Sequence, residues 1–167
     1  MAEALWKSEE VVAAVGGNLR GGSFEATGVS IDSRTLKKGE LFVALSGDHF
    51  DGHNFLEQVA AAGAAAAIVS RMPAGIPQGF PLIAVPHTGI ALEELGRAAR
   101  RRSEGRIIGV TGSVGKTSAK EMLRLALSPY GRVYATAGNY NNHIGLPLML
   151  ANMPRDTEFG IFEMGMN

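Results

Sequence analysis

Apolar positions in the first half of the chain switch between helical and extended spacing, which predicts a small α/β unit. Residues 8–16 predict a short helix, with Ser8 as the N-cap, acidic residues in the first turn and Gly16 at the end. Compact or alternating apolar runs predict strands. Along the chain these are strands in 23–34 and 40–45, a helix over 55–62 that Gly63 ends, and strands in 64–70 and 81–86.

The second half alternates strands and helices, an order typical of a parallel sheet with right-handed crossovers. Helical spacing of apolar residues predicts a helix over 88–102, and a second helix over 118–127 follows a glycine-containing turn. Apolar runs predict strands in 106–110, 132–136 and 158–165 and a helix over 145–153. For the helix over 118–127, the residues expected to form the buried face are Ala119, Met122, Leu123 and Ala126.

The chain ends at Asn167, directly after the third predicted strand of the second half. A parallel sheet is normally covered on both faces, and three strands with the predicted helices leave one face poorly covered. We therefore expect this sequence to be the N-terminal part of a longer protein.

Composition narrows the class of protein. Sixteen basic residues balance sixteen acidic ones, so no overall field draws the chain to nucleic acid or to an anionic membrane. There are no cysteines, which excludes a disulfide framework and thiolate metal sites. The longest apolar run, residues 59–69, has roughly half of the ~20 residues that span a bilayer. We expect a soluble cytoplasmic protein that neither binds nucleic acid nor inserts into a membrane.

A glycine-containing turn, "GVTGSVGKTSAKEML" at residues 109–123, lies between a predicted strand and a predicted helix. In a phosphate-binding loop, backbone N–H groups bind phosphate oxygens, a lysine reaches the outer phosphates and a hydroxyl binds magnesium. The strict pattern G-x-x-x-x-G-K-[ST] is not met, because Val110 stands at its first glycine. The alternative is an ordinary helix N-terminus with a surface lysine. The residues expected to bind ATP are Gly112, Ser113, Val114, Gly115, Lys116, Thr117 and Ser118.

Glu163 is a candidate metal ligand because it ends the last predicted strand. At the carboxyl edge of a parallel sheet, its carboxylate would point into the crevice that holds the glycine turn. A carboxylate, the Thr117 hydroxyl and phosphate oxygens together suit Mg²⁺. The alternative is a strand-end glutamate that faces water.

Three segments, taken together, resemble the Mur ligases, which build the peptide stem of bacterial peptidoglycan. The turn within residues 110–123 resembles the T-G-x-x-G-K-[ST] turn of this family, and residues 28–70 resemble its N-terminal uridine-nucleotide domain. "GNYNNHIGLPLML" at 138–150 and "EMGMN" at 163–167 resemble the member that adds D-alanyl-D-alanine to UDP-N-acetylmuramoyl-tripeptide. These segments cover most of the chain.

The resemblance implies a small N-terminal α/β domain for the UDP-sugar substrate, residues 1–86. The first part of a P-loop-type, parallel-sheet ATPase domain would follow in residues 87–167, and a further closing domain would lie beyond. Arg34 can bind phosphate oxygens with two N–H groups, although a D-S-R sequence in a loop is also compatible with a turn and a solvated arginine. The residues that the resemblance assigns to the UDP substrate are Asp32, Ser33, Arg34, Ser46, Gly47 and His53.

The implied chemistry uses ATP and Mg²⁺ in two steps. ATP phosphorylates the terminal carboxylate of the tripeptide, and the amine of D-alanyl-D-alanine then displaces phosphate from the acyl phosphate. The resemblance assigns catalytic roles to Lys116, Asn139 and Asn142, whereas asparagines that simply fill the loop are the alternative for the last two. We expect a monomeric enzyme, and we expect residues 1–167 alone to be inactive.

Two other functions stay open at this point. The nearest is the ligase of the same family that adds the third residue to a UDP-muramoyl dipeptide, which shares the N-terminal pattern. The other is a regulatory module that binds a UDP-sugar or ATP without catalysis.

Overall fold

The structure is a computed structural model that describes residues 4–47, 50–138, 140 and 142–165. The chain forms two compact units, one ending at Leu95 and the other beginning at Gly96. The helix Thr88–Arg102 crosses this division, and the expected domain boundary at residues 86/87 stays a prediction. Within the described ranges, no helix is both long enough and apolar enough to cross a bilayer.

The first unit is built on a five-stranded sheet with the order β2-β9-β8-β5-β4. Its strands are parallel except for β2, which pairs antiparallel with β9. Two small antiparallel pairs, β1 with β3 and β6 with β7, accompany the sheet. The elements are β1 (Trp6–Lys7), α1 (Ser8–Val15), β2 (Asn18–Arg20), β3 (Glu25–Ala26), β4 (Val29–Ser30), β5 (Leu41–Val43), β6 (Ser46–Gly47), β7 (Phe50–Asp51), a 3₁₀ turn (Gly52–Phe55), α2 (Leu56–Ala61), β8 (Ala66–Val69) and β9 (Leu82–Ala84), followed by α3 (Thr88–Arg102).

The core of this unit lies between the central strands and α2. All residues of β5 and β8 are buried, as expected for parallel strands covered on both faces. Leu56 and Val59 of α2 pack in one cluster with Phe42 of β5 and Val69 of β8. The continuous apolar runs that predicted these strands are therefore the centre of the unit.

Local hydrogen bonds correct two details of the first-unit prediction. The predicted N-cap Ser8 is the first residue of α1, and Lys7 caps the helix, its backbone N–H donating to Glu10 Oε2 at 2.9 Å. The helix ends as predicted at Gly16, which has a left-handed φ of 66°. The strand predicted in residues 23–34 is two short strands, because the backbone N–H of Thr27 turns away and donates to Gly39 O at 2.9 Å.

The second unit contains a parallel sheet with the order β10-β12-β11 among the described strands. The last strand in the sequence, β12, therefore lies between the two earlier ones. Glu163 ends this central strand, and the glycine turn follows the adjacent β10. The elements are β10 (Arg106–Val110), α4 (Lys116–Leu127), a 3₁₀ turn (Ser128–Tyr130), β11 (Val133–Ala135), α5 (Gly145–Ala151) and β12 (Phe159–Glu163).

The predicted buried face of α4 is wrong at two positions. Met122 is 69% exposed, and Ala126 is also exposed. The buried residue of α4 is instead Lys120, whose ammonium donates to Thr136 O at the end of β11. Residues two positions apart in an α-helix are separated by about 200° around its axis. Burying Lys120 therefore turns Met122 towards solvent.

Candidate functional site

The glycine turn between β10 and α4 presents the N-terminus of the helix. Gly115 is the N-cap in the left-handed conformation, with φ at 77°, and Gly112 also has a positive φ of 149°. No side chain among the described residues caps this end of α4. The first-turn N–H groups of a helix lack intrahelical partners, so this end can bind an anion. A Cβ at Gly115 would meet no atom within 4 Å, which leaves room beside these amides.

Lys116 spans the turn from its C-terminal side. Its Nζ donates to the carbonyl oxygen of Gly112 at 2.6 Å, and the side chain is only partly buried. The ammonium therefore lies against the backbone of the turn whose residues 112–118 are predicted to bind ATP. Val114 is 88% exposed at the tip of the same turn and takes no part in the core.

Thr117 and Glu163, the two predicted metal ligands, are brought together by the fold. The Thr117 hydroxyl donates to Glu163 Oε2 at 3.2 Å, across 46 positions of sequence. Glu163 is only 4% exposed, which excludes the alternative of a strand-end glutamate facing water. Neighbouring parallel strands end at the same sheet edge, and this is why the turn after β10 and the end of β12 meet.

Lys120 and Thr136 complete this cluster, and both were missed by the sequence prediction. Lys120 Nζ donates to Thr136 O at 2.8 Å and lies 3.9 Å from Glu163 Oε2. The backbone N–H of Glu163 donates to Thr136 Oγ1 at 3.1 Å. Lys120 is 4% exposed and Thr136 2% exposed. The available signal was a lysine one helical turn after Lys116, a spacing that places both on one side of α4.

The predicted catalytic asparagines lie before α5. Asn142 Oδ1 accepts hydrogen bonds from the backbone N–H groups of Gly145 at 2.7 Å and Ile144 at 3.2 Å, so its side-chain carbonyl supports the first turn of α5. Asn139 lies outside the described residues. The structure gives Asn142 a capping role, and its catalytic role stays a prediction.

The predicted substrate residues of the first unit fall into two groups, and the first is the turn around Asp32. Arg34 Nε donates to Asp32 Oδ1 at 2.9 Å and Nη2 to Asp32 Oδ2 at 2.6 Å, with the arginine side chain 83% exposed. Ser33 lies between them in the turn. Hydrogen bonds from the Arg34 side chain and backbone lower the pKa of Asp32 to about 2. The guanidinium is thus held in one orientation at the surface.

The second group surrounds Asp51 and contains Ser46 and His53. Asp51 Oδ1 accepts from the Ser46 hydroxyl at 3.1 Å and lies 2.7 Å from His53 Nδ1, while Oδ2 pairs with Arg71. The backbone N–H of Ser70 donates to His53 Nε2 at 3.0 Å, so Nδ1 carries the proton and donates to Asp51. Burial raises the pKa of Asp51, but hydrogen bonds from Arg71, His53 and Ser46 outweigh it and lower the pKa well below its usual range.

Within this second group, the structure assigns different positions to the predicted residues. His53 is 7% exposed and both ring nitrogens have protein partners, whereas Ser46 and Gly47 are exposed in β6. Sequence reasoning missed Arg71 as a member of the group, since it lies 20 positions from Asp51. Contact of His53 with a substrate stays a prediction.

Two Mur ligase family models match this sequence. Residues 25–101 match the Mur ligase family, catalytic domain, and residues 110–167 match the Mur ligase middle domain. The UDP-N-acetylmuramoyl-tripeptide--D-alanyl-D-alanine ligase of Bacillus subtilis (strain 168) is 44% identical over 156 residues, covering 92% of this chain and 34% of that protein. The α/β fold with parallel sheets, expected from the sequence, is confirmed.

Two solved structures are also similar to this chain. A UDP-N-acetylmuramoylalanyl-D-glutamyl-2,6-diaminopimelate--D-alanyl-D-alanyl ligase from Acinetobacter baumannii has a TM-score of 0.85 and 34% identity, over 99% of this chain and 37% of its own. A MurF ligase from Thermotoga maritima in complex with ADP has a TM-score of 0.66 and 33% identity, over 83% and 32% of the two chains. The chain spans about a third of the length of the relatives it matches.

Proposed function

The chain belongs to the Mur ligase family, and from this premise we propose that it forms part of an ATP-dependent ligase that joins D-alanyl-D-alanine to UDP-N-acetylmuramoyl-tripeptide. The observation that carries the proposal is the 3.2 Å contact between Thr117 and the buried Glu163, directly beside an uncapped helix N-terminus. This arrangement offers backbone donors to the phosphates of one nucleotide, and a hydroxyl and a carboxylate to the magnesium ion that would accompany them.

Support for nucleotide binding comes from the turn itself and from one relative. The positive φ angles at Gly112 and Gly115 leave the first-turn amides of α4 accessible, as a phosphate-binding turn requires. The Thermotoga maritima relative, 33% identical, was solved in complex with ADP. We therefore place the ATP phosphates at residues 112–118, with Lys116 exchanging its bond to Gly112 O for a phosphate oxygen.

The proposed reaction activates a carboxylate that is otherwise a poor electrophile. The terminal carboxylate oxygen of the tripeptide attacks the γ-phosphorus of ATP, ADP leaves, and an acyl phosphate forms. The amine of D-alanyl-D-alanine then attacks the acyl carbon, inorganic phosphate leaves and the amine loses a proton. Lys116 would stabilise negative charge that develops on the transferring group.

Magnesium fits the donor set beside the turn. The Thr117 hydroxyl and the Glu163 carboxylate are hard oxygen ligands, and phosphate oxygens and water would complete the coordination of Mg²⁺. Among the described residues no group of three or more histidine, cysteine, aspartate or glutamate side chains could hold a metal ion, which is consistent with a site shared with the nucleotide. The ion would supply charge neutralisation for the phosphates.

We assign the UDP end of the substrate to the predicted N-terminal domain, residues 1–86, which lies within the first unit. Arg34 presents its guanidinium at the surface in an orientation set by Asp32, and Ser33 is in the same turn. Ser46 and Gly47 are exposed near Asp51. The buried His53 would act indirectly, by hydrogen bonding to Asp51 and to the backbone of Ser70. Arginine and serine donors of this kind suit a diphosphate.

The test is ligation by a full-length ligase that carries this chain. The wild-type enzyme should form ADP and ligated product from ATP, UDP-N-acetylmuramoyl-tripeptide and D-alanyl-D-alanine. Lys116→Ala should lower kcat by roughly 10²–10³-fold, because a donor to the developing charge is lost. The matched control is Lys37→Ala, which removes an exposed lysine of the first unit and should leave kcat unchanged.

The same assay separates the alternatives. Product formed from UDP-muramoyl dipeptide and a diamino acid would instead identify the third-residue-adding ligase. A full-length wild-type protein that binds ADP but forms no ligated product would favour a nucleotide-binding module without catalysis, and ligation that survives Lys116→Ala would contradict the catalytic role of Lys116. Residues 1–167 alone should form no ADP with both substrates, and ADP formation by this chain would contradict the need for further domains.

A further inference from the structure

We propose that Lys120 is a positioning residue that holds the Glu163 carboxylate in place for the metal-bound nucleotide, an inference that rests on the proposed function. Lys120 is not part of the glycine turn, and it lies one helical turn beyond Lys116 on α4. The proposal concerns how Glu163 is oriented, and it assigns no contact between Lys120 and the reacting atoms.

The geometry links three elements through the Lys120 ammonium. Lys120 Nζ donates to Thr136 O at the end of β11, at 2.8 Å, and lies 3.9 Å from Glu163 Oε2 at the end of β12. Thr136 also accepts the backbone N–H of Glu163 through its hydroxyl, at 3.1 Å. The ammonium is therefore tied to the same residue that fixes the backbone of Glu163.

Burying the charges of Lys120 and Glu163 costs free energy unless each charge has a partner. The side chains of Lys120 and Glu163 are 5% and 6% exposed, and ions removed from water lose most of their hydration. A buried lysine that had only to fill space could be replaced by a hydrophobic residue of similar length. Lys120 Nζ also lies 3.7 Å from Glu121 Oε1, but the Glu121 side chain is 45% exposed to water. Glu163 is buried, so the nearby ammonium supplies a positive charge to a carboxylate that water does not screen and that Thr117 contacts.

The position of Glu163 Oε2 is defined from two sides. The Thr117 hydroxyl donates to it from the first turn of α4, and the Lys120 ammonium faces it from the second turn. An ion that binds between Thr117 and Glu163 would take over the contact with Thr117, but Lys120 would still hold the carboxylate. Without Lys120, the carboxylate loses a neighbour that does not depend on the metal.

The test measures the Mg²⁺ dependence of ADP binding and of ligation in the full-length ligase that carries this chain. Lys120→Met keeps the length of the side chain and removes its charge. It should raise the half-saturating Mg²⁺ concentration at least tenfold and lower kcat, while KM for UDP-N-acetylmuramoyl-tripeptide and ADP affinity in EDTA change less than threefold. Lys120→Arg should bring the half-saturating Mg²⁺ concentration part of the way back to the wild-type value, because it restores the charge.

The matched control is Lys37→Met, because it is the same substitution at an exposed lysine of the first unit. It should leave the Mg²⁺ dependence unchanged. An unchanged or lower half-saturating Mg²⁺ concentration in Lys120→Met would overturn the inference. Equal losses of ADP binding with and without Mg²⁺ would also overturn it, because Lys120 would then be only structural. A wild-type ligase with no nucleotide binding would instead overturn the proposed function.

Discussion

The Asp51 carboxylate accepts four hydrogen bonds from three residues. It accepts hydrogen bonds from the side chains of Ser46, His53 and Arg71, and from the backbone N–H of His53. His53 in turn contacts Ser70, whose backbone N–H donates to His53 Nε2. Through these hydrogen bonds the carboxylate orients the side chains of Ser46, His53 and Arg71 in the first unit.

Replacing Asp51 by asparagine should destabilise the first unit by about 1–3 kcal/mol at pH 7, because the Arg71 and His53 donors lose a charged acceptor. Fluorescence of Trp6, the one tryptophan of the chain and only 1% exposed, reports the urea unfolding of this unit. Asp32→Asn is the matched control. It breaks a surface pair with Arg34 and should cost less than about 1 kcal/mol.

The effect of Asp51→Asn should also depend on pH. The folded-state pKa of Asp51 is lowered, so its stabilising contribution is complete above the unfolded-state pKa of about 3.9. As the pH falls below that value, the unfolded chain takes up the proton first, and the contribution is lost on approaching the folded-state pKa. The difference in unfolding free energy between wild type and Asp51→Asn should therefore be smaller at pH 3 than at pH 7. A difference that stays constant would contradict the proposed ionic role.

At the scale of elements, α4 is preceded by a glycine in a left-handed conformation that most other residues adopt only with strain. Gly115 has a φ of 77°, and Gly16 at the end of α1 has a φ of 66°. A Cβ at either position would meet no atom within 4 Å. The two glycines share a left-handed conformation and open surroundings, but Gly115 precedes a helix N-terminus and Gly16 follows a helix C-terminus.

Alanine at each glycine separates backbone strain from ligand binding. Both Gly115→Ala and Gly16→Ala should cost about 1–2 kcal/mol of stability, since each forces a left-handed alanine. Only Gly115→Ala should lower ADP affinity, at least tenfold, because its Cβ stands beside the amides proposed to bind phosphate. Calorimetric titration of the full-length ligase with ADP measures this difference. Equal ADP affinities in the two variants would argue against phosphate binding at the turn.

The helices and strands could be predicted from the sequence better than the face that each helix buries. The predicted helix over 88–102 has those bounds in the structure, and the strand ends at residues 110 and 163 placed Thr117 beside Glu163. The rotation of α4 could not be predicted, because it depends on the contact between Lys120 and Thr136, 16 positions apart. The Asp51–Arg71 pair was missed for the same reason: tertiary structure alone brings such residues together.

At the scale of the whole molecule, the outer side of α4 is unusually apolar. Met122 is 69% exposed and Leu125 64% exposed, and Tyr130, just after the helix, is 76% exposed. Exposed apolar side chains that lie together promote association. The relatives are about three times as long as this chain, and they therefore contain residues that this chain does not.

We expect residues 1–167 to self-associate through this surface. The double substitution Met122→Lys and Leu125→Lys should shift sedimentation towards the monomer, with a change in unfolding free energy within about 0.5 kcal/mol. Met72→Lys is the control, because Met72 is an exposed methionine of the first unit, 47% accessible. A wild-type chain that stays monomeric at high concentration would contradict this expectation.

The strand order of the second unit has a consequence for synthesis on the ribosome. The strands β10 and β11 emerge early, yet each pairs with β12 and not with the other among the described residues. A nascent polypeptide that ends before Phe159 therefore holds two strands separated by an unfilled gap, and Glu163 is added with the strand that fills it. The glycine turn is made some 50 residues before its carboxylate partner, so the proposed nucleotide site is complete only after the central strand is inserted.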